Sequence, residues 1–200
     1  MSITVVVRRH AREGQEEALI TAIAAALARC HSGASTRGQV FQGLDDPRAV
    51  LYLARWANRR EYLSRNRGSA RRLDRLCDER PRRAFCQELD LFEASTAQVE
   101  VNSCLVIEAP LAATAALITY LFERSGPALF AAPGVALRAV YQDLDVPSRL
   151  FTMVGWRSTE DQEAARRLLE PRLDPPLREL GATIEHFLSR TRVEIEPRRG

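Results

Sequence analysis

A chain of 200 residues with 46% apolar and 28% charged side chains has the composition of a globular protein, long enough for one large domain or two small ones. Its formal net charge of +3 is too small to argue for a nucleic-acid partner, and no apolar run approaches the length of a membrane span. All 29 basic residues are arginine, and eleven of them lie between Arg55 and Arg83, where Asp74, Asp78 and Glu79 interleave and no aromatic series accompanies them. That pattern reads as a solvated helix face, with an acidic ligand as the alternative.

The β-branched stretch at residues 3–9 predicts a strand, and the start lacks a charged n-region and cleavage site, so a cytoplasmic protein with reduced, scattered cysteines is expected. A helix follows over Gln15–Cys30, with Ile20, Ile23 and Leu27 on one stripe, closed by His31-Ser32-Gly33. Residues 38–43 and 49–57 predict a hairpin around Leu44-Asp45-Asp46-Pro47. Asn58 caps a first helical piece reaching Arg67, a second runs from Ser69 to Glu79, and residues 84–93 form a fourth strand. After a polar linker at 94–100 the pattern restarts with a strand over Val101–Glu108 and a helix opened by Pro110 and ended by Gly126-Pro127. A hairpin at 136–143 and 149–157 precedes a helix capped by Ser158 and broken by Pro171, Pro175 and Pro176, with a short helix between Pro176 and Leu180. Residues 183–195 form the last strand, and Pro197–Gly200 a frayed tail.

The stretch Val40-Phe41-Gln42-Gly43-Leu44-Asp45-Asp46-Pro47, running on to Trp56, recurs as Val140-Tyr141-Gln142-Asp143-Leu144-Asp145-Val146-Pro147, running on to Trp156. Two copies of one unit are therefore expected, at 1–94 and 101–196, each strand–helix–strand–strand–helix–strand, the ferredoxin-like order. The expected fold class is α+β: four antiparallel strands per unit with two helices on one face. The other face needs a partner, and the simplest is the same face of the second unit, giving a two-sheet barrel with a cavity inside a pseudo-dimer, open to further homodimerisation. Periodicity does not say whether the set Val50, Tyr52, Ala54 and Trp56 or the set Leu51, Leu53 and Arg55 faces the helices.

At Gln39-Val40-Phe41-Gln42, Leu51-Tyr52-Leu53-Ala54-Arg55-Trp56 and Arg60-Glu61-Tyr62-Leu63, and again at Trp156-Arg157-Ser158-Thr159-Glu160-Asp161, the sequence resembles the antibiotic biosynthesis monooxygenase family of the dimeric α+β barrel proteins. The resemblance implies a tandem version of that family's unit. It also implies a cofactor-free oxygenase acting with molecular oxygen on a small aromatic or polyketide-like molecule, with no metal. Other relatives degrade haem and carry a His on the helix after the Trp; here that helix has Ser64, Arg65, Asn66 and Arg67, or Ala164, Ala165, Arg166 and Arg167 in the second copy. The alternative is a tandem barrel that binds a ligand or serves as structure without chemistry.

Each candidate site residue has two readings. Trp56 and Trp156 either wall a pocket and stack on a planar substrate or fill a core at a strand end. Arg55, with Gly155 as its counterpart, either holds an anionic oxygen or faces solvent. Tyr52 and Tyr141 either position a substrate oxygen or pack as half-buried strand residues, and Asn58 binds an oxyanion or caps a helix. Gln42 and Gln142 recur, and an inward Gln in an apolar cavity needs a partner that a ligand supplies. His186, alternating with Ile184 and Leu188, is the one candidate general base or metal ligand, or else a satisfied core or rim histidine; His10 and His31 read as solvated.

Overall fold

A computed structural model describes residues 2–30, 38–93 and 98–195. The expected stop at His31-Ser32-Gly33, much of the linker and the C-terminal tail lie outside these residues. The chain divides into two compact units: unit 1 comprises Met1–Gln87 and Ser189–Gly200, unit 2 comprises Glu88–Leu188. The division falls inside two long strands, β4 (Arg82–Glu93) and β8 (Thr183–Ile195), so each contributes residues to both units.

Unit 1 contains β1 (Ile3–His10), α1 (Glu16–Cys30), β2 (Gly38–Gly43), β3 (Ala49–Trp56) and α2 (Arg59–Asp74). Its sheet runs β4-β1-β3-β2, all antiparallel, with β2 pairing on its outer side with the end of β8. Val5, Val7, Val50, Tyr52, Ala54 and Trp56 pack with Leu19, Ile23, Tyr62 and Leu73 in one core cluster, which settles that the Tyr52–Trp56 set faces the helices. The opposite parity is buried too, at Val6, Phe41, Leu51 and Leu53. Asn58 Oδ1 accepts from the Glu61 N–H at 2.9 Å and starts α2.

Unit 2 contains β5 (Val101–Glu108), α3 (Thr114–Tyr120), α4 (Gly126–Phe130), β6 (Val135–Asp143), β7 (Arg149–Trp156) and α5 (Thr159–Glu179). Its sheet runs β8-β5-β7-β6, with β4 beside β6. Ile3 pairs with Trp56 in unit 1, and Val101 pairs with Trp156 in unit 2, so the two Trp-ending strands sit in matched register. Ser158 Oγ caps α5 by accepting from Asp161 N–H at 3.1 Å. No helix among the described residues is long and apolar enough to cross a membrane.

Three helical expectations are corrected. The pieces on either side of Gly68 are one helix, α2, which ends at Asp74 rather than Glu79. Gly126-Pro127 does not stop a helix: α3 passes through a π turn at Leu121–Ser125 straight into α4. The widened turn comes just before Pro127, whose ring and missing N–H an unbroken α-helix would not accommodate. Pro171, Pro175 and Pro176 all lie inside a single α5, because Ala165, Leu169 and Leu177 are buried along it and packing overrides local propensity.

Candidate functional site

Alternation on the strands of unit 2 sends Ser103, Leu105 and Ile107 of β5, Thr152, Val154 and Trp156 of β7, Arg138 of β6 and His186 of β8 to one face. The helical run through Leu121, Ser125 and Leu129 and the inner stripe of α5, from Gln162 through Ala165, Leu169 and Leu173 to Leu177, lie over that face. Between them is a mainly apolar cavity of about 230 Å³. It lies wholly within unit 2, between sheet and helices, where the apolar core splits into one cluster around Ile107, Leu117 and Leu150 and another around Val154, Trp156 and Leu169.

The same space in unit 1 is filled. Tyr62 meets the Trp56 ring edge-on at 5.3 Å and the Phe85 ring at 5.6 Å. Burial and Tyr52 both push the Tyr62 hydroxyl well above the ordinary tyrosine range. At the positions matched by register, unit 2 has Thr152 for Tyr52, Gln162 for Tyr62 and Ile107 for Arg9. Two large rings and a guanidinium are thus replaced by smaller groups, and the replacement leaves the hollow.

Trp156 forms one wall; it is 4% exposed and its indole N–H donates to Ser103 Oγ at 3.1 Å. Arg138, which the sequence reading did not single out, is the buried charge of the cavity. Its Nη2 donates to Leu121 O at 2.9 Å and its Nη1 to Asp90, while the Phe122 and Phe130 rings lie 5.5 and 5.7 Å from its guanidinium carbon. Leu121 O belongs to the π turn and also receives the Gly126 N–H. A Cβ on residue 126 would stand 3.3 Å from that guanidinium carbon, so Gly126 makes room for the charge. Burial lowers the Arg138 pKa and Asp90 opposes the shift. Arg138 was missed because arginine is everywhere in this chain and the hairpin comparison places Gly38 opposite it.

The predicted residues separate into two groups. Trp156 and His186 line the cavity together, His186 on an exposed stretch of β8. The others do not line it. Trp56 and Tyr52 lie in the core of unit 1, and Tyr141 is buried on β6 outside the cavity wall. Arg55 is exposed, with Nη2 donating to Ser2 Oγ at 3.3 Å; its counterpart Gly155 is in a site where a Cβ would meet Val99 at 2.9 Å. Gln42 and Gln142 perform one matched task, each donating from Nε2 across its own hairpin to Pro47 O at 2.9 Å and Pro147 O at 2.8 Å. Haem, the cofactor of some resembling proteins, finds no axial histidine on α5, where Ala165 and Leu169 face the cavity.

No family model matches the sequence, and neither does that of any curated protein. Solved structures do match. An anthrone oxidase-like protein is 11% identical with a TM-score of 0.78, over 99% of this chain and 94% of its own. A chlorite dismutase from Candidatus Nitrospira defluvii is 12% identical with a TM-score of 0.66, over 96% and 91%. A ferredoxin-fold protein related to antibiotic biosynthesis monooxygenases, from Listeria monocytogenes, is 8% identical with a TM-score of 0.56, over 94% and 95%. Taken with the βαββαβ order and antiparallel sheet of each unit, these likenesses give the chain the α+β fold of those structures, built on ferredoxin-like units.

Proposed function

We propose that unit 2 houses an oxygenase site that oxidises a small electron-rich aromatic with molecular oxygen and no resident cofactor. The observation that carries this reading is the hollow itself: an apolar cavity walled by Trp156, in the place where unit 1 sets Tyr62 against Trp56. Trp156 stacks on a planar ring, and its bond to Ser103 fixes the indole plane. His186 takes the proton that activates the substrate, and the apolar walls exclude water from the resulting carbanion. For an anthrone-type CH2 the carbanion passes an electron to O2, recombination forms a C–O bond, and His186 returns its proton to the peroxide. Loss of the second C–H proton with O–O cleavage leaves a ketone and water, so the carbon gives up four electrons and O2 accepts four. The anthrone oxidase-like neighbour supports this choice of substrate class by fold alone.

The same reading takes the two units as a tandem pair in one chain, supported by their shared element order and matched Trp registers. It places the protein in a reducing cytoplasm, consistent with Cys77, Cys86 and Cys104 being buried and outside any disulfide.

Oxygen uptake with a panel of quinols and anthrones tests the proposal. Wild type consumes oxygen with at least one of them, and Trp156→Phe and His186→Gln each lower kcat/KM by about tenfold or more. Uptake by wild type no faster than with heat-denatured protein overturns it. Ligand binding without uptake favours the alternative, a non-catalytic binding barrel.

A further inference from the structure

We propose that the cavity of unit 2 selects a planar aromatic molecule bearing a free carboxylate, and that Arg138 is the residue that reads the carboxylate. This rests on the reading of the cavity as the ligand site, but not on the oxidation step. The guanidinium of Arg138 lines the cavity with its side chain 3% exposed. A guanidinium offers five N–H donors in a planar fork. One end meets Asp90, whose own side chain is 30% exposed, and the other meets Leu121 O. Those two bonds orient the fork without exhausting its donors. Phe122 and Phe130 flank the group through their π faces, which hold a cation but accept no directed hydrogen bond.

Besides Arg138 and His186, the charged side chains of the wall pair along α5. Arg166 pairs with Glu170 at 3.4 Å and Asp174 with Arg178 at 3.7 Å, all on α5. Among the described residues that line the cavity, Arg138 is the buried cation, and the space it faces is mainly apolar. A neutral aromatic entering there displaces water from the fork and leaves donors dry, which is costly. A carboxylate supplies two coplanar acceptor oxygens that match the fork, while its ring fills the apolar volume beside Trp156. Gly126 completes the arrangement, because any larger residue would press on the guanidinium from the helix side.

Titration calorimetry with 2-naphthoate, 2-naphthamide and methyl 2-naphthoate tests this without requiring turnover. Wild type binds the acid at least tenfold more tightly than either neutral analogue. Arg138→Gln, checked for native circular dichroism, removes that preference by weakening the acid. Gly126→Ala keeps the charge and a helical residue but crowds the fork, and weakens only the acid; this second variant guards against a folding defect in the first. Equal affinity of wild type for acid and amide, no binding of the acid at millimolar concentration, or a preference that survives Arg138→Gln overturns the proposal. The outcomes separate from those of the oxygenase reading. Acid-selective binding with no oxygen uptake across the panel removes the oxidation and keeps the anion site. Oxygen uptake with a neutral anthrone, together with equal affinity of wild type for acid and amide, removes the anion site and keeps the oxidation.

Discussion

Arg9 and Arg138 are equally buried, yet their surroundings act on them in opposite directions. At Arg9 burial disfavours the charge, but Tyr52, the Asp74 carboxylate at 2.8 Å and the Cys77 sulfur at 3.7 Å outweigh it, and the pKa rises. At Arg138 burial wins. The first is a guanidinium absorbed into a packed core, the second one held at the edge of a hollow. His10 is a third kind of charged joint. Its Nδ1 is 2.9 Å from Asp78 and its Nε2 3.0 Å from Asp46, so one imidazole ties β1 to the β2–β3 hairpin and to the segment after α2; Arg48 also pairs with Asp78. The Asp78 hydrogen bond raises the His10 pKa above its ordinary 6.5, against a smaller effect of burial and with help from Asp46. His10 in turn holds Asp78 below 3.8. Because the folded His10 holds its proton more tightly, its contribution to stability is complete below pH 6.5 and is lost as pH rises through the raised folded value. Asp78 contributes above pH 3.8, and its share is lost as pH falls through its lowered value. Urea midpoints of the wild type should therefore fall between about pH 6 and pH 8.5, and His10→Gln should flatten that slope. His186 and His31 are common to both proteins, so an unchanged slope would remove His10 from the account.

At the scale of elements, hairpins proved legible and helix continuity did not. The turn chemistry at Asp46-Pro47 and Asp145-Val146-Pro147 fixed β2 at Gly38–Gly43 as expected and β3 and β7 to within a residue of their ends. Glycine and proline mislead inside helices because their cost is only local, whereas the face they interrupt is buried over many residues. Gly68 shows this most plainly: it is exposed in the middle of α2, and a Cβ there would touch nothing within 4 Å. Gly68→Ala should stabilise the protein by about 0.5–1 kcal/mol, since alanine loses less backbone entropy in a helix. A denaturant midpoint that falls instead would mean that α2 does not run through residue 68. The site was legible only in part for a related reason. Trp156 and His186 announced themselves by repeat and by alternation, but a cavity is defined by absent volume, and the small Thr152 and Gln162 carry no motif. Their meaning appears only when Tyr52 and Tyr62 are seen occupying the matched positions.

For the molecule as a whole, the difference between the units is thermodynamic as well as chemical. A dry void of 230 Å³ would cost up to ~5.5 kcal/mol at about 24 cal/mol per Å³. Exposed side chains such as Arg166 and Glu170 at its border admit water, which lowers that figure but does not remove it. Unit 1 fills the matching positions with larger side chains, setting Tyr62 edge-on against Trp56, with Tyr52 in the same core cluster. Transferring that solution tests whether the hollow serves ligand binding at the expense of stability. In the double variant Thr152→Tyr, Gln162→Tyr the second ring should meet Trp156 as Tyr62 meets Trp56, and two rings should occupy most of the cavity. The expected outcome is a gain of about 1–3 kcal/mol in urea unfolding, the size of burying a large side chain, together with loss of 2-naphthoate binding by calorimetry. A variant that still binds the acid as wild type does would show that the rings point elsewhere and that this volume is not the ligand site. A variant that loses both binding and stability would show that strain from overpacking exceeds the cost of the void, so the shape of unit 2 would have diverged too far from unit 1 to accept its core.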